Sequence, residues 1–372
     1  MHRALHAAVG TLVLAAAVLI PAGPASADST RDQQWYLQSL KISDAHAIST
    51  GAGVTVALID TGVDPHRDLK QNLLAGLNEV TGKPDGRSDT DGHGTNMAGL
   101  IVAHGRGSSG LLGMAPSARL LPIKAANNGK ISGDEIATGI DFAVAHKAQV
   151  INLSLASAPA FKLLKAVKDA STADVVIVAG AGNDGFKNLG YPAAVDGVLA
   201  VGATDRNDKH WSDSNTGANM QICAPGVGIV TTDPGNKYLT ADGTSDSTAI
   251  VSGAVALVRA KFPKLSAAEV VHRITATADD IGPPGRDDEC GYGELNIVKA
   301  LTADVPPLDG ASASPSASGT ASAPTEAATS GNAAPPATEN KSSSTPLIVG
   351  VVIVVLVIGA LVGFVAIRRR RS

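Results

Sequence analysis

GVTVALID, residues 53–60, is an unbroken aliphatic run closed by an aspartate. It does not alternate apolar with polar, as a strand with one wet face would. It reads instead as a strand buried on both sides, the kind found in parallel sheets covered by helices. Four more runs have the same character: ARLLPIKA (118–125), QVINLSL (149–155), DVVIVAG (174–180) and GVLAVGA (197–203). Between them, residues 92–104, 133–146 and 160–173 have helical length and periodicity. Strand, helix and strand in succession imply an α/β fold with a mostly parallel central sheet, and in such sheets sites gather at the carboxyl ends of the strands.

Outward from this body the composition changes. Residues 1–27 have a short basic start, an apolar run from Ala8 to Ile20 and a closing Ala25-Ser26-Ala27, the pattern of a secretory signal peptide. Residues 28–50 form an N-terminal extension ahead of the body at 51–302. Residues 303–346 are mostly Ala, Ser, Pro, Thr and Gly. Such a stretch buries too little apolar surface to offset its ordering entropy, so it reads as a disordered stalk reaching about 35–40 Å on average.

Residues 347–367 carry no charge, and 21 residues at about 1.5 Å each span a hydrocarbon core. Arg368 to Arg371 follow at once, so 347–367 is expected to be a transmembrane helix and 368–372 a basic cytoplasmic tail. The body then lies outside the cell on a single-pass type I anchor in the plasma membrane. Setting aside Arg3 and the four terminal arginines leaves 25 basic against 34 acidic residues, which argues against a nucleic-acid-binding footprint. Cys223 and Cys290 are the only cysteines. Outside the cell they form one disulfide or stand as two buried thiols, and spacing alone leaves both open.

Three constellations carry chemistry. The first strand ends in Asp60-Thr61-Gly62. A second, Asp91-Gly92-His93-Gly94-Thr95, opens a helix, with glycines on both sides of the histidine. A third, Gly243-Thr244-Ser245, leads into the apolar helical stretch DSTAIVSGAVALVRA. Each has an ordinary structural explanation when taken alone: a turn aspartate, a surface histidine, an N-cap serine. A lone D-T-G also fails the aspartic-protease pattern, which needs two carboxylates sharing a proton. Together the three supply an acid, a base and a nucleophile. A neutral serine hydroxyl needs an adjacent base, and the base needs an acid to fix its tautomer. Gly180, Gly182 and Gly185 match a dinucleotide-binding fingerprint, with Asp205 twenty residues on. The required helix is blocked by Gly190 and Pro192, so no nucleotide site is expected.

The chain order Asp, His, Ser is that of subtilisin, and the sequence resembles the subtilisin-like serine proteases well beyond these residues. VALIDTGVDPHRDL, DGHGTNMAGLI, GMAPSARLLPIKA, INLSLA, AGAGNDG, YPAAVDGVLAVGATD, CAPG and GTS follow the family pattern in order over about residues 51–297. The resemblance implies a three-layer subtilisin-like fold. It implies Asp60 as orienting acid, His93 as general base and Ser245 as nucleophile. It also implies Asn183 as oxyanion-hole donor, and Ser154, Leu155 and Ala156 as the edge that binds an extended peptide. No cofactor or metal is required by it; structural calcium leaves no local signature here.

Leader, compact body, stalk, single span and basic tail, with QWYLQSL at 34–40 and CGYGELNIVKAL near the end of the body, are similar to the mycosins. These are membrane-anchored proteases associated with type VII secretion in actinobacteria. That implies the secretion membrane complex as a partner and protein or peptide substrates. The alternative is a weakly active or inactive protease-like subunit that braces the complex. Two positions depart from the family: Asp246 stands where a bulky apolar residue usually follows the nucleophile, and Ala249 where proline is usual. A carboxylate beside Ser245 could raise the basicity of His93, oppose an oxyanion, or lie favourably at a helix N-terminus.

Overall fold

The computed structural model describes residues 29–308, except 106, 108 and 127–129. The strands are β1 (Thr55–Asp60), β2 (Leu77–Asn78), β3 (Arg119–Lys124), β4 (Val150–Leu153), β5 (Val176–Gly180), β6 (Leu199–Thr204), β7 (Ile222–Pro225), β8 (Ile229–Asp233) and β9 (Lys237–Ala241). The helices are α1 (Trp35–Ser39), α2 (Ile42–Ile48), α3 (His93–Val102), α4 (Gly133–Ala145), α5 (Phe161–Thr172), α6 (Thr244–Lys261), α7 (Ala267–Ala276) and α8 (Ile297–Thr302). Seven strands form one sheet in the order β2-β3-β1-β4-β5-β6-β7, every pairing parallel, while β8 and β9 make a separate antiparallel hairpin.

The aliphatic run of the sequence is the centre of this sheet. Val56 lies between Leu120 and Val150, and Leu58 between Pro122 and Asn152. Successive side chains point to opposite faces. Val56 and Leu58 join one buried cluster with Met97 of α3 and Val251 of α6, while Ala57 and Ile59 join another with Ile140 of α4 and Leu163 of α5. Both faces are therefore dry, which is why the run needs no polar alternation. Each large aliphatic residue so buried contributes about 1.5–3 kcal/mol.

The five strands and three helices expected from the sequence are all present, each within a few residues. The chain leaves β1 toward β2 and β3 on one side, then crosses to β4 and continues away on the other. The carboxyl ends of β1 and β4 thus flank the point where the winding reverses, the usual position of a site in such sheets. No helix follows Gly185 before β6, so the glycine fingerprint at 180–185 lacks the element a nucleotide would need.

The extension at the N-terminus is built into the body. Arg31 donates through Nε and Nη2 to the Gly110 carbonyl (3.2 and 2.9 Å) and through Nη2 to that of Gly105 (3.1 Å). Gln34 exchanges two bonds of 2.9 Å with Leu112, and the Tyr36 hydroxyl donates to the Val230 carbonyl at 2.9 Å. At the other end, Arg273 of α7 stacks 4.3 Å over the Phe262 ring and donates to the carbonyls of Ala300 (3.0 Å) and Ala303 (2.9 Å). Cys223 and Cys290 are joined in a disulfide, with Cα atoms 5.0 Å apart, so the two-thiol alternative falls. Among the described residues no helix is long and apolar enough to cross a membrane. The leader expected at 1–27, the stalk beyond 308, the span at 347–367 and the tail lie outside the described residues.

Candidate active site

Asp60 closes β1 and His93 opens α3, and the two meet. His93 Nδ1 lies 2.8 and 3.0 Å from the two carboxylate oxygens of Asp60. The carboxylate is 1% exposed and the imidazole 35%, so the acid is dry while the far side of the ring faces the cleft. Asp60 Oδ1 also accepts from the Thr61 N–H at 2.7 Å. The glycines around His93 have separate reasons. Gly92 caps α3 at φ 108, a left-handed conformation costly for other residues. At Gly94, a Cβ would stand 2.0 Å from the Gly62 carbonyl oxygen, so only glycine lets α3 close on the Asp60-Thr61-Gly62 turn.

Asp89 holds this junction together and was not singled out in the sequence. Its Oδ1 accepts from Gly92 N–H (2.9 Å), Asp91 N–H (3.1 Å) and the Thr61 hydroxyl (3.0 Å). Its Oδ2 accepts from the N–H (2.9 Å) and hydroxyl (2.7 Å) of Thr95. It therefore satisfies N–H groups that the first turn of α3 would leave orphaned, and it ties that turn to the residue after Asp60. An aspartate just before a helix start was the available signal.

Ser245 lies in the first turn of α6, beside the end of β4. Its hydroxyl donates to the Ser154 carbonyl at 3.2 Å, and the Ser154 hydroxyl donates back to the Ser245 carbonyl at 2.9 Å. No hydrogen bond joins Ser245 to His93 among the described residues; nucleophile–base contacts in empty sites commonly tighten only when substrate binds. Asn183 follows β5. Its Oδ1 accepts from the N–H (2.9 Å) and hydroxyl (2.8 Å) of Thr244. The Thr244 N–H can only donate, so this contact fixes the amide and leaves Nδ2 to act as a donor. Nδ2 and the Ser245 N–H nitrogen lie 3.4 and 3.7 Å from one point, the place a Cβ on Gly243 would occupy. The two nitrogens that the sequence pairs as oxyanion donors thus lie near one point beside Gly243.

Asp60, His93, Ile131, Ser154, Leu155 and Ala156 line one cleft of about 240 Å³. A larger cavity of about 540 Å³, between residues 207–212 and 281–290, holds none of Asp60, His93 or Ser245, so size alone does not mark the site. Burial pulls the His93 imidazole down, but the Asp60 carboxylate, through charge and hydrogen bond, outweighs it, with Asp246 and Asp91 adding to the rise, and the ring is pushed up to about 9. The Asp246 carboxyl is 2% exposed and driven up to about 7 by its burial, against the pull of His93 and with the help of Asp242. Among the described residues no group of three or more His, Cys, Asp or Glu could hold a metal ion.

Known proteins carry the same arrangement of elements. Subtilisin Savinase of Lederbergia lenta is 40% identical over 253 residues, which cover 67% of this chain and 92% of Savinase. Among solved structures, MycP1 from Mycobacterium smegmatis superposes with a TM-score of 0.67 at 30% identity, covering 76% of this chain and 88% of that one. The MycP3 protease from the type VII (ESX-3) secretion system gives 0.65 at 33% identity, covering 73% and 88%. Both bear out the likeness to mycosins seen in the sequence. Residues 51–293 match the subtilase family as a whole, and with these relatives the chain belongs to that family: it is a subtilisin-family serine protease.

Proposed function

We propose that the protein is a membrane-anchored serine endopeptidase that works outside the cell in association with a type VII secretion system, with Ser245 as nucleophile. His93 takes the Ser245 proton as the Oγ–carbon bond forms, while the carbonyl electron pair moves onto oxygen. Asn183 Nδ2 and the Ser245 N–H donate to that oxyanion. The proton then passes to the leaving amine, and water repeats the sequence on the acyl-enzyme. Asp60 keeps the imidazole in the tautomer with its proton on Nδ1 and stabilises the imidazolium. Ser154, Leu155 and Ala156 hold an extended peptide along the end of β4.

The observation that carries this reading is the approach of both Asp60 carboxylate oxygens to His93 Nδ1, at 2.8 and 3.0 Å. The secretion role rests on the likeness to MycP1 and MycP3, the second a protease from a type VII system by its own description. The anchor rests on the uncharged stretch 347–367, the arginines that follow it and the leader pattern at 1–27. Labelling with a fluorophosphonate probe tests the chemistry: the parent protein reacts and Ser245→Ala does not. Equal labelling of the two would defeat the assignment.

The buried carboxylate of Asp246 beside Ser245 favours a second reading, a protease-like subunit that braces the secretion complex. Full rescue of a secretion defect by Ser245→Ala, in cells lacking the protein, supports that role over proteolysis.

A further inference from the structure

Asp246 is the feature of the site that the reaction above does not use. It sits in the first turn of α6, next in the chain to Ser245, with its side chain fully enclosed. Its Oδ1 is buried without a hydrogen-bond partner. Its Oδ2 stands 3.7 Å from the same point beside Gly243 that Asn183 Nδ2 and the Ser245 nitrogen approach at 3.4 and 3.7 Å. One carboxylate oxygen thus lies within 4 Å of a point that Asn183 Nδ2 and the Ser245 nitrogen also approach.

Three titratable groups face it: His93 on α3, Asp242 in the turn before α6, and the Tyr36 phenol from α1. The Tyr36 hydroxyl is already committed to the Val230 carbonyl, and Asp242 is a like charge, so only His93 can neutralise an ionised Asp246. A carboxylate here has two effects on chemistry. It repels a negative oxygen forming between Asn183 Nδ2 and the Ser245 N–H. It also holds His93 as imidazolium, which cannot accept the Ser245 proton. A protonated carboxyl does neither, and burial is how proteins keep carboxylic acids neutral near pH 7.

We propose that Asp246 is a proton-controlled positioning residue of this site: turnover requires its carboxyl protonated and His93 neutral, and ionised Asp246 shuts the site. This rests on the protease reading above. The competent form, neutral acid with neutral base, has the same number of protons as the ion pair of Asp246 carboxylate with His93 imidazolium. It is therefore populated only between the two ionisations of the pair, near 7 and 9. Reactivity then rises through the lower value, holds between them, and falls tenfold per pH unit above the upper one. A site that needed only neutral His93 would instead rise through 9 and stay high.

The test is the rate of fluorophosphonate labelling of the full chain in detergent, from pH 5 to 11, with circular dichroism at each pH to confirm that the fold is kept. The parent is expected to show both limbs. Asp246→Asn, a neutral near-isostere, is expected to lose the alkaline limb, to move the remaining midpoint below 9, and to label about tenfold faster than the parent at pH 8, because the proton no longer divides between two sites. A parent rate that climbs to a plateau above pH 9 overturns the proposal without any variant, while leaving Ser245 as nucleophile. An unchanged profile in Asp246→Asn also overturns it. Labelling of Asp246→Asn where the parent is silent supports it. Silence of both folded proteins at every pH removes the protease reading, and the inference falls with it.

Discussion

The two arms of the active site are built to different standards. On the acid–base arm the carboxylates are densely bonded: Asp60 takes the Thr61 N–H as well as His93, and Asp89 accepts five bonds from residues on either side of the junction. The nucleophile arm is looser. The Ser245 hydroxyl turns to a backbone carbonyl rather than to the base, and Asp246 keeps one oxygen orphaned. The contrast separates what must be fixed before substrate arrives from what adjusts on its arrival. The His93–Asp60 contact is already made, whereas the proposed mechanism requires Ser245 to leave Ser154 for His93.

Substitutions that cut one arm at a time sharpen this contrast. Ser245→Ala or His93→Ala should each lower peptide hydrolysis by about a millionfold, the loss recorded when subtilisin's own nucleophile or base is removed. Similar residual rates in the singles and the double, by steady-state kinetics, would show that the arms act as a unit. Asp60→Asn should cost about 10⁴-fold in kcat with little change in KM, since the amide favours the wrong imidazole tautomer. Asn183→Ala should lower kcat by about 10²–10³-fold, the range measured for the corresponding donor in subtilisin itself. A change confined to KM would argue that its Nδ2 binds ground-state peptide instead. Asp89→Ala should act mainly on stability, by about 1–3 kcal/mol in denaturant unfolding, because it strands buried N–H groups. If it left stability unchanged, the well-bonded arm would not be the stiffer one.

Much of this was legible in the chain. The strands β1, β3, β4, β5 and β6 are buried on both faces, so their aliphatic runs announced them, and the site residues lay at strand ends and helix starts where short motifs keep their register. Other elements carried no such signal. The exposed edge of β9 and the four-residue β7 lack the length for a pattern to emerge, and α1, α2 and α8 span only five to seven residues each. The part played by Asp89 depends on which N–H groups the turn leaves open, and Ser154 pairs with Ser245 across 91 residues. The orientation of Asp246 belongs to the same class. Sequence placed a carboxylate next to Ser245, but only packing shows that it is enclosed with one oxygen left without a partner.

The clamp made by Arg273 has a mechanical meaning. The body ends at α8, and its last carbonyls, on Ala300 and Ala303, are gripped by a guanidinium that is itself laid against Phe262. Tension drawn through the chain beyond residue 308 therefore meets α8 and Arg273 first and passes into α7 and the far end of α6. Ser245 lies at the opposite end of that long helix, so under the anchoring proposed above the site would stand at the end of the load path remote from the membrane.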